Sequence, residues 1–252
     1  MLETEKQLRK EILQNLNVKI MDSATWSIPV HTIEIEFKTV KRTKMDVLMK
    51  MILIAFQKAA IESAEELSEL LLVELLFIQD FMEIMSRTRL IVKDEKAYRL
   101  TDKGLQQLEN GIFEEEQEVD SKNKLYSPSH SSFWAGDINI ASDETKKIDV
   151  YRYANEDKRT VAQKFDEAIV IEALQKDDIE VTEGDAQTII SEVVSTSRLH
   201  IDQIPCIEFI LYNSEEDSMY ARVWNTLREQ WDEALENQLN EKERIEWRKR
   251  YL

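Results

Sequence analysis

The chain has 252 residues, 42% of them hydrophobic, with 33 basic against 50 acidic side chains and a net charge of −17. That length holds two small domains or one larger one, and that apolar fraction suffices for a core. The negative excess opposes unaided nucleic-acid binding, the single cysteine excludes an internal disulfide, and no apolar window approaches the roughly 20 residues of a bilayer crossing.

Residues 3–17 place Leu8, Ile12, Leu13 and Leu16 at helical spacing, which predicts a short amphipathic helix ending before Asn17. The opening Met1-Leu-Glu-Thr-Glu-Lys6 lacks the basic-then-apolar order of an export signal, so a cytoplasmic setting is expected. From Val30 to Val40 the chain alternates. Ile33, Ile35 and Phe37 fall on one side and Thr32, Glu34, Glu36 and Lys38 on the other, the period of a half-buried strand. Pro29 is expected at its start, where a missing N–H does least harm.

At Lys44 the period becomes helical: Met45, Leu48, Met49, Ile52, Leu53 and Phe56 form one face of a helix reaching about Ile61. Ser63-Ala-Glu-Glu66 predicts a capping box opening a second helix. A third, from Leu75 to Ser86, carries Leu75, Ile78, Phe81, Met82 and Met85. Leu90–Val92, a polar turn over Lys93–Lys96 and Ala97–Leu100 predict a hairpin, after which Thr101 caps a helix stopping at Gly111. Helix, short capped helix, helix, hairpin and then Leu100-Thr-Asp-Lys-Gly104: over residues 44–113 this order resembles the winged-helix superfamily of many bacterial regulators. The resemblance implies DNA contacts on the third helix and the hairpin tip. Those positions carry Asp80, Glu83, Lys93, Asp94, Glu95 and Lys96, and the helix itself has no Lys or Arg, chemistry that suits polypeptide better than phosphate.

Glu114-Glu-Glu-Gln-Glu-Val-Asp-Ser-Lys-Asn123 has no apolar period and reads, with the polar residues after it, as a linker over 114–132. Residues 1–113 hold 16 basic and 18 acidic side chains, net −2, which leaves 17 and 32, net −15, for 114–252. Residues 133–252 are expected to form an acidic α+β domain. Phe133–Gly136 and Lys147–Tyr153 would pair as short strands, and Val161–Gln175 would be a helix. Ile204–Tyr212 and Met219–Trp224 predict a β-hairpin around Asn213–Asp217. Trp224, Leu227, Trp231, Leu235 and Leu239 step by three or four into a final helix over Leu227–Arg250.

Motifs that would carry chemistry are missing. The four glycines, Gly104, Gly111, Gly136 and Gly184, are scattered, which excludes phosphate-cradling loops. His31, His130 and His200 stand alone in sequence, and His130 reads as a solvated loop residue. Asp137-Ile-Asn-Ile-Ala-Ser-Asp143 starts like a calcium loop but has Ser142 and Ile148 where glycine and glutamate are needed. Glu156-Asp-Lys158 reads as a solvated turn, and Cys206 as a buried inert thiol. No catalytic residue, metal or cofactor is therefore expected.

The fold class expected is α+β: an N-terminal helix and strand with a winged-helix domain over 1–113, the linker, and the acidic domain with its hairpin and long C-terminal helix. The function expected is a non-catalytic adaptor or accessory subunit of a bacterial cytoplasmic assembly, in DNA-processing or antiphage defence machinery by association with the fold. Its docking candidates are Phe77, Asp80, Phe81 and Glu83 on the third helix, and Trp231, Trp247 and Tyr251 near the end. The partner would be a protein with a basic or apolar surface, or a second copy of the chain, with no membrane and only weak or indirect nucleic-acid contact. The alternative is a DNA-binding regulator using Lys41, Arg42, Lys44, Arg87, Arg89, Lys93 and Lys96 on phosphates. A weaker alternative is an acidic DNA mimic.

Overall fold

The computed structural model describes residues 2–94, 96–138, 148–154, 165–176 and 182–252. The expected calcium-like loop and the Glu156–Lys158 turn lie largely or wholly outside them. The elements in order are α1 (Leu2–Ile12), β1 (Val18–Lys44), α2 (Val47–Lys58), α3 (Ala64–Leu71), α4 (Leu75–Arg87), β2 (Ile91–Asp94), β3 (Ala97–Leu100) and α5 (Asp102–Asn110). They continue with β4 (Ile112–Ser127), β5 (Ser132–Trp134), α6 (Glu167–Gln175), β6 (Thr182–Glu183), β7 (Ala186–Asn213), β8 (Ser218–Asn225), β9 (Gln230–Trp231) and α7 (Glu233–Tyr251). One large antiparallel sheet runs β5-β4-β1-β7-β8-β9 with β6 beside β7, and β2-β3 form a separate ribbon.

Three strands far exceed the usual 3–10 residues: β1 has 27, β4 has 16 and β7 has 28. In β1 burial alternates cleanly only from Ile33 to Phe37; Trp26, Ser27, Ile28 and Val30 to Ile33, including Thr32 from the expected open side, are all buried, and a strand covered on both faces loses its period of two. Pro29 accordingly lies inside β1. Two residues earlier, Ser27 bonds to the backbone of Asp149 and Tyr151 at 2.8 and 2.7 Å.

Residues 114–123, expected as a linker, are strand. Their polarity hides the pairing because what holds them comes from elsewhere in sequence: β1 beside them, and cations from β1, α4 and α5 on Glu114, Glu115 and Glu116. The two compact units consequently do not follow the expected 1–113 and 133–252 division. One comprises residues 1–35, 122–165 and 196–252, the other 36–121 and 166–195, with β1, β4 and β7 each supplying residues to both.

The first unit packs Trp26, Ile28, Val30, Leu125, Ile204, Cys206, Met219, Val223, Leu235, Leu239 and Trp247 into one core. β8 pairs with β7 in the register Ile207↔Trp224 to Asn213↔Ser218, as the hairpin reading requires. Two expectations fail here. β5 pairs with β4 through Leu125↔Trp134 and Tyr126↔Phe133, and residues 148–154 make only an isolated bridge at Val150. The last helix begins at Glu233, so Trp224 lies in β8 and Trp231 in β9. The interruption is local: the Asn225 side chain accepts from the N–H groups of Leu227 and Arg228 at 3.1 and 3.2 Å, bending the chain into a turn that competes with helix.

The second unit gathers α2–α5 and β2-β3 around Met49, Ile52, Leu53, Phe56, Ile78, Met85 and Leu90. Asp46 caps α2 by accepting from Leu48 N–H at 2.7 Å. Ser63 caps α3, and Glu66 reaches back to the N–H of Glu62 rather than Ser63. Thr101 joins the parts: it donates to the Arg89 carbonyl at 2.7 Å and accepts from Gly104 N–H at 3.0 Å. A Cβ on Gly104 would stand 2.1 Å from the Leu90 carbonyl oxygen, which explains why the Leu-Thr-x-x-Gly turn needs glycine. Gly111, at φ +67°, ends α5.

Candidate functional site

The surface of α3 and α4 departs most from what stability alone requires. The inner face of α4 buries Ile78, Met82 and Met85, and Phe81 is half-buried against the same core. The outer positions are apolar as well: Leu70 is 58%, Leu72 92%, Leu76 59% and Phe77 54% exposed. Around them Glu69, Glu74, Asp80 and Glu83 are exposed, and among the described residues none has an ion-pair partner. Beside this face a cleft of about 400 Å³ between the start of α3 and α4 is lined by Glu62, Glu65, Gln79, Met82, Glu83 and the hairpin's Lys93 and Tyr98.

Leu72 is the unusual member. It ends α3 in the left-handed conformation at φ +55°, with its N–H donating to the Ser68 carbonyl. A leucine there is strained by roughly 1–2 kcal/mol, whereas glycine or asparagine would do the same work at little strain. The turn itself is closed by Val73 N–H on the Ser68 carbonyl at 3.2 Å and by the Ser68 hydroxyl on the Val73 carbonyl at 2.6 Å, but the leucine side chain adds no packing to it, since it lies in solvent.

The cations proposed for DNA are partly neutralised from within. Of the seven, Arg42 pairs with Glu114 at 2.7 Å and Arg87 with Glu115 at 2.8 Å; nearby Lys103, not one of the candidates, pairs with Glu116 at 3.0 Å. Lys103 is also the chief reason the Glu116 carboxyl lies below its ordinary range. Lys93 stands over the Tyr98 ring at 5.1 Å, and Arg89 occupies a left-handed position at φ +59°. Lys41 and Lys44 sit at the end of β1, and Lys96 in the β2-β3 turn. Arg42, Lys44 and Lys50 share a second cleft of about 660 Å³ with Val47, Ile112 and Asp185.

The three aromatic candidates near the C-terminus are packed to different degrees. Trp247, expected exposed, is 4% exposed because it faces the sheet from α7. Trp231 is half-buried, edge-on to Trp224 at 5.4 Å with the Arg222 guanidinium 4.2 Å over its ring. Tyr251 packs on the core and donates to Asp22 at 2.6 Å, a bond that holds the Asp22 carboxyl low.

The sequence reading also missed two buried polar networks. Ser127, at the end of β4, approaches His130 Nδ1 at 2.7 Å, and His130 Nε2 lies 2.9 and 3.0 Å from the two Asp232 oxygens. With the carboxylate accepting, Nε2–H donates to it and Nδ1 accepts from the serine hydroxyl, the Ser–His–Asp order of a nucleophilic triad with the two ring nitrogens exchanged. Ser127 is 0% exposed, so a substrate carbonyl has no access to its Oγ in this conformation. Asp232 also accepts from Asn225 Nδ2 and from Leu235 N–H as the α7 cap, so the cluster ties the β4–β5 turn to the start of α7. Burial raises the Asp232 carboxyl, the hydrogen bonds from His130 and Asn225 lower it, and lowering wins. In the second network Glu208, 2% exposed, is gripped by Arg152 at 2.8 and 2.9 Å and by Trp26 Nε1–H at 2.5 Å, and Arg152 extends to Glu243. Neither could be found in the sequence, where the partners are isolated single residues.

Among the described residues no cluster of three or more His, Cys, Asp or Glu side chains could hold a metal ion, and no helix is long and apolar enough to cross a membrane. Comparison with family models, curated proteins and solved structures finds no match for this chain.

Proposed function

We propose that the protein is a non-catalytic adaptor or accessory subunit of a cytoplasmic multi-protein assembly, and that it docks polypeptide through α3 and α4 of a winged-helix unit. The order α2-α3-α4-β2-β3 and the Thr101–Gly104 turn support that reading of the unit. The observation that carries the docking role is a mismatch of charge: β4 supplies Glu114, Glu115 and Glu116 to Arg42, Arg87 and Lys103, while Glu69, Glu74, Asp80 and Glu83 stay unpaired around exposed leucines. A duplex-reading surface needs the reverse, free cations and few carboxylates.

The test is affinity purification of the tagged full chain from its native cells with a parallel gel shift on duplex DNA at low salt. A stoichiometric protein complex without a duplex shift is expected. A free monomer overturns the reading, and duplex binding that weakens steeply with salt replaces it with a DNA-binding regulator, for which the Arg42, Lys44 and Lys50 cleft speaks.

A further inference from the structure

We infer that the occupant of the α3–α4 face is a basic amphipathic segment of a partner protein, apolar side chains seated on Leu72, Leu76 and Phe77 and lysines or arginines beside Glu69, Asp80 and Glu83. This rests on the adaptor reading and names the partner's chemistry. Leu72 carries the argument. Among the positive-φ residues of the described chain other than glycine, Leu72 is the one large apolar side chain, and at 92% exposure it contributes no packing to the fold; outliers of this kind cluster at contact sites. Its neighbours Leu70, Leu76 and Phe77 are each more than half exposed within eight residues of sequence, the apolar centre of an interface. The flanking carboxylates fix the sign of the partner. Among the described residues other acids of the same compact unit, such as Glu109 and Glu118, are unmatched too, but on this face the unmatched carboxylates stand beside exposed leucines and a phenylalanine, whereas Glu114, Glu115 and Glu116 on β4 are each held by a cation. Complementary cations would speed encounter and select against acidic partners.

The face does not suit the obvious alternatives. A duplex would meet carboxylates first, and a second copy of this chain would bring further negative charge to the same patch in any isologous pairing.

The test uses the full chain and two synthetic helical peptides, each with leucines along one face, one flanked by lysines and the other by glutamates, read by fluorescence anisotropy at low salt. The lysine-flanked peptide should bind and the glutamate-flanked one should not. Leu72→Asn should weaken binding about tenfold or more, and its denaturation midpoint should stay level or rise because asparagine tolerates the left-handed position. Asp80→Lys combined with Glu83→Lys should reverse the peptide preference. Absence of binding, equal binding of both peptides, or undiminished affinity in Leu72→Asn overturns the proposal, as does a lowered midpoint, which would make Leu72 structural. A complex that survives Leu72→Asn in native cells removes this face and leaves the adaptor reading standing. A wild-type chain without any complex removes the adaptor reading whatever the peptides do.

Discussion

Two carboxylates buried in the first compact unit and three on the α3–α4 face of the second are used in opposite ways. In the first, Asp232 and Glu208 are 1% and 2% exposed, and each is held by several partners: His130, Asn225 and a helix N–H for one, Arg152 and Trp26 for the other. In the second, Glu69, Asp80 and Glu83 face solvent around leucines that are each more than half exposed. A buried acid must be fully partnered, because a missing partner leaves an uncompensated charge. An exposed acid beside an exposed apolar side chain is under no such demand. The difference teaches that a triad-like geometry, Ser127–His130–Asp232, can be a fastening, whereas a face without any notable geometry can be the better candidate for function.

The largest expected effect tests the inward use. Glu208→Ala should destabilise the first unit by about 3 kcal/mol, since it strands the Trp26 N–H and half of the Arg152 grip; urea denaturation followed by tryptophan fluorescence reads it. A change below about 0.5 kcal/mol, the range of ordinary surface substitutions, would place Glu208 with the outward acids. Next, Gly104→Ala should cost about 2 kcal/mol, because the clash is with a backbone oxygen that cannot rotate away. It should loosen α4 and weaken lysine-peptide binding in proportion to the unfolded fraction, showing that the outward face depends on its scaffold.

Asp232 sharpens the comparison through pH. Its folded carboxyl titrates below the ordinary value of 3.8, so its stabilisation is complete above that value and is lost as pH falls through the lower folded value. Asp232→Asn should therefore lose stability at neutral pH and show a flatter acid limb in a pH series of denaturation midpoints. Parallel limbs for the two proteins would remove Asp232 as the source. The smallest effect comes from the surface pairs of the second unit. Replacing Glu114, Glu115 and Glu116 together by glutamine should shift stability by no more than about 1–2 kcal/mol, yet it unmasks Arg42, Arg87 and Lys103. Duplex affinity at low salt should rise in that variant. An unchanged gel shift would show that internal pairing is not what keeps those cations from phosphate.

Much of the second unit was legible in the sequence because its signals are local. Ser63, Thr101 and Gly111 cap or end helices within three or four residues of themselves, and Leu-Thr-x-x-Gly fixes a turn by one close approach. The chemistry of α4 is likewise local: Phe77, Asp80 and Glu83 are exposed on it, and Phe81 is half-buried. Leu72 was missed because its signal is a backbone angle. Tertiary structure alone decided the rest. It made a strand of the acidic run, joining Arg42 to Glu114 across 72 residues, buried His130 against Asp232 102 residues away, and turned Trp247 inward. Sequence patterns report a residue's near neighbours, whereas strand pairing and buried ion pairs are set by partners the chain brings in from far along its length, and no local period records them.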